Sequence, residues 1–380
     1  MTRPLASSWL RGVVAAGLMS TALVATSGLS SPAAAAAPSA TFRVGTYNIH
    51  ANGTDSATWP SQRTNLLREV GSYAPDVIGI QEAGSNDARR TDFRNGMQAN
   101  GYTTAADYAT NSRPIYWKSA TFQILRDSSG RIASGTVVVG GAAAGKTASW
   151  VALKHIASGR EIVVANVHLT SSKCGLTTYD LDATVNSDGV CASTKDVPVQ
   201  GGGTRPGEDS DPVRGQIQRF RELDDLFADA RYIAWAGHDS PDFLTGDFNT
   251  NGTRYPSLAD AAVGVTIPAA YQSSDGTMRP LNDYLWNARL RTNAFNVAVE
   301  KSGAAYDTFN GFQRQSCTSV PTVRCNGNHI DQVYVSRAQG ETTNVVAVEG
   351  WTNKLPDADL APEQFPSDHN KVQIRVTVSN

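Results

Sequence analysis

A set of polar residues in this chain stands beside hydrophobic runs, and each carries a side chain that can hold a cation or move a proton. Asn48 follows "RVGTY", Glu82 follows "VIGIQ", His168 follows "VVANV", and Asp247 and Asn249 come after "FLTG". Asp331 lies within "HIDQVYV", and Asp368 and His369 stand side by side just before the last apolar run, "KVQIRVTV". Carboxylate and amide oxygens are ligands for hard divalent cations. Imidazole gains and loses a proton near neutral pH. Taken singly, an Asn or Asp after a strand more often caps a turn than binds anything. Repetition of one arrangement along the whole chain points instead to a site assembled from many strand ends.

Those strand ends need strands. "TFRVGTYNI" (41–49) alternates with a strand period, and "PDVIGIQE" (75–82) is an apolar run closing on a carboxylate. A hairpin is expected over 113–125, with further strands in "GRIASGTVVVG", "TASWVALKHI" and "REIVVANVHLTS" (160–171). "DFLTGDFNTN" (242–251), "NHIDQVYVS" (328–336) and "KVQIRVTV" (371–378) complete the set. Helices are expected at "WPSQRTNLLREVGSY", where Leu66, Leu67 and Val70 share a face, and at 213–230. Residues 172–212 are polar and glycine-rich and read as a long loop. Strands outnumber helices and the two alternate irregularly, which favours stacked sheets with helices outside over a doubly wound parallel sheet.

Composition sets the outer bounds. The chain has 380 residues, 40% hydrophobic and 18% charged, the balance of a globular protein with enough chain for a sizeable core. Its formal charge of -2 argues against a protein held to nucleic acid or membrane by bulk charge. An enzyme that must release a polyanionic product remains compatible with it. Residues 1–40 read as a secretory leader: Arg3 and Arg11 precede the uncharged "GVVAAGLMSTALVATSGL", followed by "SSPAAAAAPSA" with Ala-x-Ala cleavage options. The expectation is therefore an extracellular protein with no stable membrane anchor and a single domain over 41–380. In an oxidising compartment, Cys174, Cys191, Cys317 and Cys325 are expected as disulfides. Three pairings exist; the local ones, Cys174–Cys191 and Cys317–Cys325, would each pin one polar loop.

"TYNIH", "IGIQE", "NVHLTS", "TGDFNTN", "IDQVYVS" and "SDHNKV", in that order, resemble the endonuclease/exonuclease/phosphatase superfamily, and "DTFNGF" (307–312) resembles its segment before the Ile-Asp strand. The resemblance covers residues 42–378. It implies an α+β fold: a four-layer α/β/β/α sandwich, DNase I-like, with two packed mixed sheets flanked by helices and a site where their strand ends meet. It also implies a metal-dependent hydrolase of phosphate esters, acting as a monomer with Mg²⁺ as cofactor, or Mn²⁺ or Ca²⁺ in its place. Carried onto this chain, Glu82 is the principal metal ligand, joined by Asn48 and Asp368. Asp247 orients the attacking water, and Asn48 and Asn249 place phosphate oxygens. His168 and His369 donate to the phosphate or protonate the leaving oxygen, and Asp331 orients His369. The family often has other residues at His329 and Gln332, which are therefore candidates for substrate contact.

The expected substrate is DNA or RNA. Arg314 and Arg324 would grip a phosphate backbone, as would Arg89, Arg90 and Arg94 after Glu82. A phospholipid phosphodiesterase would want exposed apolar hairpins, whereas the aromatics of "NDYLWNARL" (282–290) read as helical and partly buried. A phosphomonoesterase on nucleotide or inositol phosphates is the other alternative. Asp180, Asp182, Asn186 and Asp188 could bind Ca²⁺, but their spacing fails the EF-hand pattern and suits ordinary turns.

Overall fold

The computed structural model describes residues 38–51, 57–84, 87–141, 146–170, 197–198, 204–205, 212–236, 240–250, 267–312, 329–336 and 345–379. In chain order the strands are β1 (Ala40–Asn48), β2 (Val77–Gln81), β3 (Tyr102–Thr104), β4 (Ile115–Lys118), β5 (Phe122–Ile124), β6 (Ser134–Val139), β7 (Lys146–His155) and β8 (Glu161–His168). They continue with β9 (Val197–Pro198), β10 (Thr204–Arg205), β11 (Asp242–Asp247), β12 (Arg291–Asn293), β13 (Glu300–Ser302), β14 (Asp331–Ser336), β15 (Val345–Lys354) and β16 (Lys371–Ser379). The helices are α1 (Trp59–Gly71), α2 (Asp87–Ala99), α3 (Pro212–Ala228), α4 (Ala230–Ala236), α5 (Leu281–Arg289) and α6 (Ala294–Val297). No helix among the described residues is long and apolar enough to cross a membrane.

Two seven-stranded mixed sheets result. The first runs β13-β15-β16-β1-β2-β4-β3; the second runs β12-β14-β11-β8-β7-β5, with β6 also on β7. Residue alternation explains their stacking. On β8, Ile162 and Val164 enter the core between the sheets, while Val163, Ala165 and Val167 enter the core under α3 and α5. On the other sheet, Phe42, Val44 and Val77 face inward, while Tyr47, Ile78 and Ile80 pack with Leu66, Val70 and Phe93 of α1 and α2. Strands buried on both faces read as nearly continuous apolar runs. Three apolar layers between four structural layers make the expected sandwich.

Register brings the strand ends together. β1 and β2 are parallel with Asn48 opposite Gln81, so Glu82 emerges one residue further on. β8 and β11 are parallel with His168 opposite Asp247, and β14 runs antiparallel to β11 with Asp331 opposite Asp247. β16 returns antiparallel beside β1, with Val372 opposite Thr46, which carries Asp368 and His369 to the same end. The chain's last strand thus lies beside its first, as the site requires.

Two expectations fail. Residues 113–125 form no hairpin: β4 pairs with β2 and β3, whereas β5 pairs with β7 in the other sheet. A turn closed by Thr121 N–H donating to Lys118 O (3.0 Å) carries the chain across. Phe122 then drops into the intersheet core against Phe42, with ring centroids 5.2 Å apart. Within 172–212, β9 and β10 pair antiparallel in what the sequence presents as loop. The four cysteines and Asp180, Asp182, Asn186 and Asp188 fall outside the described residues.

Candidate active site

Asp247 is the hub. It is buried at the end of β11, and each carboxylate oxygen has a fixed donor: Oδ1 accepts from Asn249 N–H (2.9 Å) and Oδ2 from Asn48 Nδ2 (3.1 Å). The same Asn48 amide donates to Glu82 Oε1 at 3.0 Å, so one side chain links two carboxylates from different sheets. His168 Nε2 lies 3.6 Å from Asp247 Oδ2 and 3.9 Å from Glu82 Oε1. His369 Nε2 lies 3.7 Å from the same Asp247 oxygen. Asn249 Nδ2 donates to Leu169 O (3.0 Å), which holds the turn after β11 against the turn after β8.

His369 and Asp331 form a dyad. Nδ1 is 2.8 Å from Asp331 Oδ2, and both side chains are buried. Asp331 is held in turn by its N–H donating to Thr308 Oγ1 (2.9 Å). Ser367 Oγ accepts from His369 N–H and donates to Asn48 O (2.6 Å), tying the last strand's approach to the first strand's end. Burial alone would lower the His369 pKa; the Asp331 and Asp247 carboxylates outweigh it and hold the imidazole cationic, with a pKa of about 10. His168 goes the other way. Burial, then the Arg113 and Lys146 charges, push it well below the usual histidine range. The two imidazoles therefore differ in protonation at neutral pH. Asp247 is pushed up to about 6 by burial and by Asp331, against the pull of His369.

Asp368 turns toward His50, whose Nδ1 lies 3.3 Å from its Oδ1 and 3.8 Å from Glu82 Oε2. That contact raises the His50 pKa and, with the His369 charge, holds Asp368 low despite burial. Glu82, Asn249 and His50 all have left-handed backbones, with φ of 52°, 51° and 49°. Non-glycine residues adopt that conformation rarely, and such strain gathers at functional sites.

The eight residues predicted for catalysis and metal binding, Asn48, Glu82, His168, Asp247, Asn249, Asp331, Asp368 and His369, come together here. Arg314 and Arg324 fall outside the described residues. Two other expectations are corrected. His329 and Gln332 are buried and occupied: His329 Nε2 meets Ala304 O (3.0 Å) between Phe295 and Trp351, and Gln332 bridges Thr250 O and Tyr334 OH. Neither is free for substrate. Arg90 is buried too, donating to Ala109 O and Gly84 O, so it braces the loop after Glu82 rather than gripping a ligand. The sequence reading missed His50, Ser367 and Thr308. They lie inside "TYNIH", "SDHNKV" and "DTFNGF", the motifs that carry the resemblance, which is the signal that could have found them.

The donor set fits a divalent cation. Asp247, Asp331 and His369 offer ligand atoms within 4.8 Å of one another, a candidate metal site in which His369 could ligate only after losing the proton that Asp331 and Asp247 stabilise. Asp331 Oδ1 is buried without a hydrogen-bond partner, an arrangement that costs free energy unless something positive meets it. Glu82 and Asp247 converge on the single amide of Asn48, with Asp368 beyond His50, so carboxylates crowd the cleft. Hard cations take such oxygen ligands.

Comparison with known proteins agrees with this architecture. Residues 45–369 match the model of the Endonuclease/Exonuclease/phosphatase family. The chain belongs to that family and is a phosphoesterase hydrolase. Among solved structures, an endonuclease/exonuclease/phosphatase family protein from Bacteroides thetaiotaomicron superposes with a TM-score of 0.55 at 16% identity, covering 90% of this chain and 96% of that one. The mannosyl-6-phosphatase of Bacteroides thetaiotaomicron VPI-5482 gives 0.52 at 17% identity, covering 88% and 99%. D. rerio TDP2 complexed with single-strand DNA product gives 0.51 at 12% identity, covering 88% and 98%. No curated protein matches the chain.

Proposed function

We propose that the protein is a secreted, divalent-metal-dependent phosphodiesterase that hydrolyses DNA or RNA by attack of water on phosphorus. One observation carries the reading: Asp247, with both oxygens fixed, is met by Asn48, His168 and His369 from three other elements, with Asp331 opposite it in register. Glu82, with Asn48 and Asp368 beside it, would hold the cation, with Mg²⁺ the first candidate and Mn²⁺ or Ca²⁺ the others. When bound, it neutralises phosphate charge and makes water more acidic.

The chain's own groups do the rest. Asp247, raised toward neutrality, accepts the proton of the attacking water while Asn249 N–H keeps its carboxylate oriented. His369, cationic and aligned by Asp331, donates a hydrogen bond to the phosphate as charge builds there. His168 faces the same oxygen of Asp247 and supplies a second imidazole for the phosphate or the leaving oxygen. Asn249 reaches the cleft from a strained turn that fixes its position.

The nucleic-acid assignment draws support from the family and from a neighbour of the same fold holding a DNA product. A neighbour acting on a sugar phosphate keeps small phosphate esters as the competing substrate. Purified protein should be assayed on duplex DNA, RNA, sphingomyelin and small phosphate esters with Mg²⁺, Mn²⁺ and Ca²⁺. Hydrolysis of nucleic acid, lost in Asp247→Asn, is expected. Turnover confined to small esters or to lipid would overturn the nuclease assignment. Export is part of the proposal, and N-terminal sequencing of protein recovered from culture medium tests it.

A further inference from the structure

Two strands start where the catalytic strands end, and each begins near a cation. β4 runs antiparallel to β2, so Arg113, two residues before β4, lies at the Glu82 end; Ala83 N–H donates to Ser112 O at 2.9 Å. β7 runs antiparallel to β8, so Lys146 lies at the His168 end, its Nζ 2.9 Å from Thr170 Oγ1. Asn166 Nδ2, two residues before His168, donates to Arg113 O at 3.1 Å and fastens the two approaches together. Arg219 joins from α3, its Nε donating to Thr170 O at 2.9 Å. Among the described residues, Glu222 is the carboxylate nearest Lys146. It is wholly buried, accepts from Thr170 N–H (2.8 Å), and lies 3.8 Å from Lys146 Nζ.

Glu222 faces Lys146, and among the described residues no carboxylate is in ion-pair contact with Arg113. Arg113 is 9% exposed; Nη1 meets Ser112 Oγ and Thr147 Oγ1 at 3.2 and 3.3 Å, and Nε is buried with no partner at all. A buried guanidinium N–H left unpaired is costly. The planar fork of arginine matches phosphate oxygens. Lys146 retains partial access, at 25% side-chain exposure.

We propose that Arg113 and Lys146 form an anion subsite on the His168 side of the cleft, which binds a second phosphate of the substrate beside the scissile one. That phosphate is the neighbouring one of a polynucleotide or a second one on a small ester. The chemistry is the same in both: a phosphate accepting from the guanidinium of Arg113 and the ammonium of Lys146. The inference rests on the phosphoesterase reading for which bond is cut, but not for whether the subsite binds an anion.

Two experiments separate these. The first titrates inorganic phosphate into the full chain in excess chelator by calorimetry at constant ionic strength. Arg113→Met should weaken binding by at least tenfold. Lys146→Arg should retain it, and Glu82→Gln should not weaken it. Lys146→Met risks leaving Glu222 buried and unpaired, so it is made as Lys146→Met with Glu222→Gln, and should weaken binding as Arg113→Met does. No binding to wild type, or binding that Glu82→Gln abolishes and Arg113→Met spares, overturns the subsite. The second compares kcat/KM for a dinucleotide with and without a terminal 5′-phosphate, and for glucose 1,6-bisphosphate against glucose 6-phosphate. A wild-type preference for the extra phosphate, about tenfold or more and lost in Arg113→Met through KM, is expected in at least one arm. The arm that shows it identifies the source. Equal rates in both arms overturn the proposal, whereas phosphate binding with no turnover on any substrate would overturn the phosphodiesterase reading alone.

Discussion

At the scale of residues, the dyad makes the sharpest prediction. Asp331 has one oxygen on His369 Nδ1 and the other unpartnered, so its interactions run mainly through the imidazole. His369→Ala should reduce kcat by about 10²–10³-fold, the usual cost of losing a positioned donor. Asp331→Asn should reproduce part of that loss, and the double variant should cost little more than His369→Ala alone, because the two act as a unit. Steady-state kinetics on all three, with thermal melting as a folding control, decides it; additive losses would show Asp331 acting independently. Polar residues at strand ends such as Glu82, His168 and Asp247 are legible in sequence because they break an apolar run. His50, Arg113 and Lys146 are not, because a basic residue in or beside a loop looks like ordinary solvated charge. Only register shows that Lys146 begins a strand antiparallel to the one ending in His168, and that Arg113 leads into a strand antiparallel to the one that Glu82 follows.

At the scale of elements, the two sheets are locked beneath the site by polar groups inside an apolar layer. Gln81 Nε2 donates to Thr46 Oγ1 (2.9 Å) and to Asn166 Oδ1 (2.6 Å), and Asn166 Nδ2 donates to Ile80 O (2.8 Å). Gly79 makes this approach feasible: a Cβ there would sit 2.3 Å from Thr245 Oγ1 and 2.5 Å from Asn166 Oδ1. Gly79→Ala should therefore destabilise the fold by about 1–3 kcal/mol through overpacking, measurable by urea unfolding, and should lower activity by shifting β2 against β8. Unchanged stability and activity would show that the sheets are not held at this spacing. The long apolar strands were legible from period. α2 was not, because its sequence is strongly polar: of its described residues only Arg90, Phe93, Gly96 and Met97 are buried. β15 was hidden by the bulge between Val348 and Gly350, which breaks its alternation. The expected hairpin failed because three-residue β5 is defined by Phe122 filling the intersheet core, a tertiary contact that local pattern does not carry.

At the scale of the whole molecule, the sandwich was legible because both sheets bury apolar runs on two faces and the motifs fall in one order along the chain. Its response to pH has a contributor remote from the cleft. His155, at the far end of β7, packs against Phe42 and Phe122 with Nδ1 2.8 Å from Ser158 Oγ, and burial lowers its pKa, partly offset by Asp76. Above the unfolded value of about 6.5 the group is neutral in both states and contributes no slope. As pH falls through that value the unfolded chain takes up a proton that the folded chain resists, so stability is lost until the folded pKa is passed. His155→Gln should flatten the dependence of Tm on pH between about 7.5 and 5 while leaving turnover intact. An unchanged slope would assign the acid sensitivity to other groups.

The account stands on a carboxylate-lined cleft that works with a divalent cation. The direct test is the rate of phosphodiester cleavage by metal-stripped protein as Mg²⁺ is added back, with Glu82→Gln beside the wild type. The wild type should be inactive in excess chelator and recover saturably, and Glu82→Gln should need far more Mg²⁺ and reach a severely lower rate while melting normally. Full activity in excess chelator, in protein shown to be metal-free, would contradict the account.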